Sequence, residues 1–276
     1  MTLTEWRLDW DEALDNMQSR DPQKLMQSWQ DASDNFKAGW SLSGQLNLDL
    51  VYGEHSRERY DLFKTSGNCR GTVIVIHGGY WMRTGREFWS FLAKGILEND
   101  WAVAIPSYPL APEVRLSSIT SSINQAVEKI ASQTTGPLRL IGHSAGGHLV
   151  SRVMCKNILT TKTLQRIEKA ISVSGIHDLR PLLNTKMNDI LGLTHTEAEE
   201  ESSVFCLPEK TPFTCWVGAH ERPEFLRQNR LLQEAWSTCS EPNKKIDAYY
   251  DKGHDHFSVI EQLTNRNSAL TQHLTK

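Results

Sequence analysis

The stretch Leu138-Arg139-Leu140-Ile141-Gly142-His143-Ser144-Ala145-Gly146 decides the fold. Four strand-like residues run into Gly-His-Ser-Ala-Gly, and His148-Leu149-Val150-Ser151-Arg152-Val153-Met154 follows with an apolar helical face. A strand that turns into a helix across one serine makes a tight, strained connection. Only small residues fit two positions either side of it, which is where Gly142 and Gly146 stand. The pattern predicts that the Ser144 hydroxyl is exposed at the edge of a sheet.

A second glycine-bearing run, His77-Gly78-Gly79-Tyr80-Trp81, follows the apolar segment Val73-Ile74-Val75-Ile76. Consecutive glycines after a strand release backbone N–H groups from the ladder, so they can point at a developing negative charge. The N–H groups of Gly79 and Tyr80, joined by that of Ala145, form the candidate oxyanion hole. Gly-x-Ser-x-Gly alone arises by chance in many chains. Strand, turn, helix and the second run together make Ser144 a candidate nucleophile.

Outward from these runs, strand and helix patterns alternate. Strands are predicted at residues 48–52, 59–63, 72–76, 102–105, 138–141, 170–173, 213–217 and 246–250, the first two close enough to be antiparallel neighbours. Helices are predicted over 88–98 and 114–132, the second stopped by Gly136-Pro137. The expected architecture is α/β: a mostly parallel eight-stranded sheet flanked by helices. Residues 1–45 are acidic and amide-rich and carry Trp6, Trp10, Trp29, Phe36 and Trp40, with Asp21-Pro22 as a helix start. They read as two amphipathic helices that either pad the core or cap the site.

At 276 residues and 39% apolar content, the chain is long enough for one large domain over residues 1–276. A net charge of −3 and a pI near 6.4 supply no basic stripe for nucleic acid and no polybasic patch for a membrane. No apolar run is long enough to span a bilayer, and Met1 to Arg7 lacks a signal-like pattern. The expected location is the cytoplasm and the expected partner a small-molecule substrate, with a homodimer left open. Cys69, Cys155, Cys206, Cys215 and Cys239 are scattered without CxxC spacing, which argues against a disulfide framework, a structural zinc site or a catalytic cysteine.

A serine hydroxyl is a poor nucleophile at neutral pH; it needs a histidine to take its proton and a carboxylate to orient that histidine. With the serine on a strand–helix turn, the chain order is serine, acid, histidine, so the histidine comes from a loop after the last strand. Gly253-His254-Asp255-His256-Phe257 lies there, and His256, next to the start of a terminal helix, is favoured over His254. A metal reading of His254, Asp255 and His256 lacks a distant third ligand, so neither metal nor cofactor is expected. For the acid, Glu221 follows the penultimate strand, with Glu224 and Asp178 as alternatives. Glu224 and Arg227 also have the i, i+3 spacing of a surface pair. His55, His195 and His273 are expected to be solvated and His77 to brace its loop; His143, His148, His177 and His220 either line the site or stand behind it.

Taken together, Tyr52-Gly53, Tyr60 to Phe63, His77 to Trp81, Gly142 to His148, Ser174 to Ile176, Asp178 to Pro181, Glu221 to Phe225 with Arg227-Gln228, and Asp255 to Phe257 resemble the kynurenine formamidase (arylformamidase) group. That group belongs to the α/β hydrolases that look like hormone-sensitive lipase, and the resemblance covers roughly residues 50 to 262. It implies Ser144, Glu221 and His256 as a catalytic triad, with glutamate where aspartate is usual, and an aromatic residue, Tyr80, at the third position of the oxyanion run. The function it implies is hydrolysis of a small acyl amide through an acyl-enzyme; Tyr80 and Trp81 either contact the aryl leaving group or pack in the core, and His143 is a further candidate substrate contact. A short-chain carboxylesterase and a non-catalytic receptor on the same scaffold are the alternatives.

Overall fold

Residues 9–16, 20–42, 44–239 and 246–276 are described by the computed structural model; Trp6 lies outside them. Eight strands form: β1 (Leu46–Val51), β2 (Arg59–Phe63), β3 (Thr72–Ile76), β4 (Ala102–Pro106), β5 (Leu138–His143), β6 (Ile167–Val173), β7 (Phe213–Gly218) and β8 (Ile246–Asp251). They make one sheet in the order β1-β2-β4-β3-β5-β6-β7-β8. β1 and β2 are antiparallel neighbours and β2 runs antiparallel to β4, while every pairing from β4 through β3 to β8 is parallel.

The central strands read as continuous apolar runs because both faces of a parallel sheet are covered. In β3, Ile74 and Ile76 pack into the core on one face, beside residues of α4 (Leu116–Gln133), α5 (Ala145–Val153) and α9 (Pro223–Thr238). Val73 and Val75 pack on the other, beside α2 (Pro22–Ser41), α3 (Ala93–Leu97), α10 (Ser258–Glu261) and α11 (Ala269–Thr275). Short helices complete the chain: α1 (Trp10–Leu14) before α2, and α6 (Thr161–Leu164), α7 (Asn188–Leu191) and α8 (His195–Glu200) between β5 and β7.

Asp21 starts α2 as the sequence predicts, its carboxylate accepting from the Gln23 and Lys24 amides with Pro22 in the first turn. Leu25 and Trp29 recur one turn apart and are its buried contacts. The Trp29 ring meets Trp89 edge-on at 5.1 Å, and its indole N–H donates to Glu261 at 2.8 Å. Arg20, just ahead of the helix, makes a two-pronged ion pair with Asp255, Nε donating to Oδ2 at 3.1 Å and Nη2 to Oδ1 at 2.9 Å.

Two expectations are corrected. The helix predicted over 88–98 is two three-residue turns, Arg86–Phe88 and Ser90–Leu92, followed by the short α3. The Trp89 and Leu92 amides bond three residues back, so the aromatic run follows a three-residue repeat. His273, on α11, is not a solvated residue: it bonds Thr214 Oγ1 at 2.9 Å and packs on Trp216 and Tyr249.

Candidate active site

Loops at the carboxyl ends of the parallel strands carry the sequence-predicted site residues, the usual place for ligand chemistry in an open α/β sheet. Gly78 to Trp81 leave β3, Ser144 leaves β5, Glu221 follows β7 and His256 follows β8. At the β5–α5 turn Ser144 has φ 55° and ψ −118°, outside the regions an L-residue prefers. Its own N–H is spent on Val173 O at 2.8 Å. Side chains are excluded beside it: a Cβ on Gly142 would lie 2.1 Å from Gly146 O, and one on Gly146 would lie 2.1 Å from Ile76 O. Both glycines of the run are thus required by close backbone approach.

His256 Nδ1 and Glu221 Oε2 are 2.7 Å apart and both side chains are buried. The second oxygen of Glu221 accepts from Ser174 Oγ at 2.5 Å and from the Gly218 amide at 2.8 Å. Held at both ends, the carboxylate fixes the tautomer in which His256 Nε2 is free to accept a proton. The alternative acids are engaged elsewhere. Glu224 binds Arg227 at 2.7 Å and Gln228 at 2.7 Å, the ion pair its spacing suggests, and Asp178 binds Arg180 at 2.9 Å. His254 has no bond to a carboxylate among the described residues.

Asp255 clamps the histidine loop. It accepts from the Phe257 and Ser258 amides at 3.1 and 2.8 Å as well as from Arg20. Burial works against its ionisation, but the Ser258 amide and the Arg20 guanidinium outweigh burial and hold its carboxyl down at about 2.

Ser144 and His256 line one cavity of about 140 Å³ together with Gly79, Tyr80 and His143. Among the described residues, the N–H groups of Gly79, Tyr80 and Ala145 donate to no protein acceptor. Gly79 and Tyr80 have φ of 113° and 54°, and a Cβ on Gly78 would lie 3.2 Å from the Ser144 Cβ, so this loop abuts the serine. Unsatisfied amides beside a serine form an arrangement that can receive a carbonyl oxygen as it becomes an oxyanion.

Trp81, a candidate substrate contact that reads equally as core packing, takes the second role. It is fully buried, absent from the cavity wall, and meets His148 edge-on at 5.2 Å. Left-handed backbone at both Tyr80 and Trp81 carries the indole under the loop, into the core with Leu116 and Ile119. His143 does line the cavity, and it also braces the site: its Nε2–H donates to His256 O at 2.7 Å. The far wall is formed by Leu25, Met26 and Trp29 of α2 with Trp89 and Phe257; the sequence left open whether this segment pads the core or caps the site, and it singled out none of these five as a wall residue. The four-residue spacing of Leu25 and Trp29 was the available signal; nothing local said which surface that stripe would meet.

His77 braces its loop as expected, bonding Gly78 O at 2.8 Å and stacking on Tyr108 at 4.1 Å. His148 donates to Glu201 O at 2.7 Å and His177 bonds Ser151 at 3.0 Å, both behind the elbow, whereas His220 is exposed. Burial pushes the His77 pKa down to about 3 and that of His148 to about 4, and it pushes His143 and His177 well below the usual imidazole value. In the unfolded chain these four rings take up protons near pH 6.5. Below that pH the unfolded state binds more protons, so stability that is full above pH 6.5 drains away as the pH falls toward 4. The urea midpoint should therefore drop steeply between about pH 6 and 4; a midpoint that stays level there contradicts four neutral buried imidazoles.

A strained elbow serine, a carboxylate-held histidine and their order along this sheet are the features of an α/β hydrolase. The chain belongs to the BD-FAE family, whose model matches residues 61–214, and it is a kynurenine formamidase-like α/β hydrolase. Kynurenine formamidase of Danio rerio is 30% identical, with 84% of this chain and 82% of that protein covered. The Drosophila melanogaster kynurenine formamidase is 26% identical over 82% of this chain and 79% of its own length. A crystal structure of a proposed thioesterase from Silicibacter sp. superposes with a TM-score of 0.91 at 38% identity, covering 98% of this chain and 100% of the other. No described helix is long and apolar enough to cross a membrane.

Proposed function

We propose that this enzyme hydrolyses an N-formyl aryl amide of the N-formylkynurenine type, in the cytoplasm and as a step of tryptophan catabolism. The observation that carries the chemistry is the His256–Glu221 pair opening, with Ser144, onto one aromatic-walled cavity. The formyl amide comes from the kynurenine formamidases that this chain resembles.

In this reading Ser144 Oγ attacks the formyl carbon while His256 Nε2 takes the hydroxyl proton and Glu221 stabilises the imidazolium. The amides of Gly79, Tyr80 and Ala145 bind the oxyanion. Collapse breaks the C–N bond, and His256 returns the proton to the departing aryl amine. Water then attacks the formyl-enzyme, with His256 again as base, and formate leaves. The formyl group offers little surface, so recognition falls on the aryl half, between Trp29, Tyr80, Trp89 and Phe257. The segment before β1 acts as a cap, since α2 supplies one wall and Arg20–Asp255 ties its start to the His256 loop.

The second reading, an ester or thioester hydrolase, is favoured by the likeness to the Silicibacter protein. Both bonds pass through the same tetrahedral oxyanion, so the substrate has to be tested directly. Purified enzyme should turn over N-formylkynurenine with a kcat/KM above that for p-nitrophenyl acetate or an acetyl thioester. Cleavage of the esters alone overturns the formamidase reading, and failure of a fluorophosphonate to label Ser144 would favour a receptor.

A further inference from the structure

Among the described residues, the cavity beside Ser144 carries one fixed charge. Arg83 is, among the described residues, the only arginine, lysine or carboxylate on its wall, and its exposed side chain makes no hydrogen bond and no ion pair with any of them. Neighbouring arginines are all committed to the fold. Arg20 is paired with Asp255, Arg57 donates to Tyr108 O at 2.8 Å, and Arg86 is bonded to Asp61 at 3.0 Å.

Arg83 is also tied to the candidate oxyanion loop. Its amide donates to Gly79 O at 2.9 Å, and its carbonyl lies 2.4 Å from where a Cβ on Gly79 would stand. Thr84, the next residue, donates its hydroxyl to Gly78 O at 2.8 Å. The guanidinium thus hangs from a rigid turn shared with the amides that face the reacting carbonyl. A planar fork of donors with no partner, beside an aromatic-walled slot, matches a carboxylate carried a few bonds from an aromatic ring. With the whole chain at net charge −3, an anionic substrate gains most from a local cation at the entrance.

We propose that Arg83 is a carboxylate-recognising residue, and that the enzyme prefers aryl substrates whose leaving group bears a carboxylate over their uncharged analogues. This rests on the reading that Ser144 performs hydrolysis in this cavity. The test is the ratio of kcat/KM within two matched pairs, one of formyl amides and one of esters. The first sets N-formylkynurenine against 2-formamidoacetophenone, which keeps the ring, ketone and formamide without the amino-acid tail. The second sets 3-acetoxybenzoate against phenyl acetate.

Arg83→Met should shrink the ratio about tenfold, mainly through a higher KM for the carboxylated member, as expected for a partly exposed charge-assisted contact. Arg83→Lys should keep part of the preference, because charge remains and the fork is lost. The wild-type ratio should fall as ionic strength rises. If Arg83→Met lowers both members of each pair equally, or leaves both ratios where they were, the proposal is overturned. Absence of formyl-amide turnover alone would sink the formamidase reading, while the ester pair would still report on Arg83.

Discussion

Replacing Ser144 with alanine should lower kcat for the preferred substrate by roughly 10⁵- to 10⁶-fold, while the protein melts within a few degrees of the wild type. The first effect follows from the proposed mechanism, in which the Ser144 hydroxyl on the cavity wall is the group that attacks the carbonyl. The second follows because alanine keeps the Cβ, so the left-handed backbone at φ 55° is no more strained than before. Among the described residues the Ser144 hydroxyl makes no hydrogen bond that the substitution would remove. Residual turnover traceable to the orphaned amides is expected to survive, as they act without the nucleophile. Steady-state kinetics on rigorously purified protein, with a melting curve beside it, checks both halves. A variant retaining a tenth of the activity would remove Ser144 from the reaction.

Glu221→Gln should cost about 10³- to 10⁴-fold in kcat, and Glu224→Ala far less, although both carboxylates are buried three residues apart. An amide at 221 no longer stabilises the imidazolium, and if its NH₂ faces His256 it favours the wrong tautomer. Glu224 works on stability instead. Its removal strips partners from Arg227 and from Gln228, which is wholly buried and also holds the His177 and Asp178 amides at 2.8 Å. About 1–3 kcal/mol should be lost there, with a Tm lower by several degrees. Kinetics and melting on the two variants side by side separate the roles. The opposite pattern, inactive at 224 and merely unstable at 221, would reassign the acid.

Local grammar carried most of the architecture. Alternating apolar runs and turn residues are local properties, and all eight strands fall where that pattern predicts within a few residues. The β5–α5 elbow was legible for the same reason: Gly142 and Gly146 exist because backbone oxygens stand 2.1 Å from where their side chains would be. The candidate acid was only partly legible. Glu221 holds the usual place after β7 and was preferred for it, but Glu224 stands three residues on and Asp178 follows β6, so the position in the chain leaves the alternatives open. The partners of Glu221 and Glu224, His256 on one side and Arg227 with Gln228 on the other, are contacts that only the folded protein makes.

Trp81 marks the boundary most sharply. An aromatic residue beside a glycine run reads equally as a substrate contact or as core, and its inward turn depends on left-handed backbone at two successive positions. The wall built by α2 is the converse case: its apolar stripe is visible in the chain, whereas its landing beside Ser144, with Arg20 pinned to Asp255 235 positions away, is not. The sequence by itself determined the strands, the strained serine turn, the donor loop and the short choice of acid and base. Tertiary structure alone decided which carboxylate meets His256, which aromatic rings face the cavity, and that Arg83 stands without a partner among the described residues. The reason is physical: backbone conformation is set by neighbours a few residues away, but pairing and burial of side chains are set by segments that approach one another only once the sheet has formed.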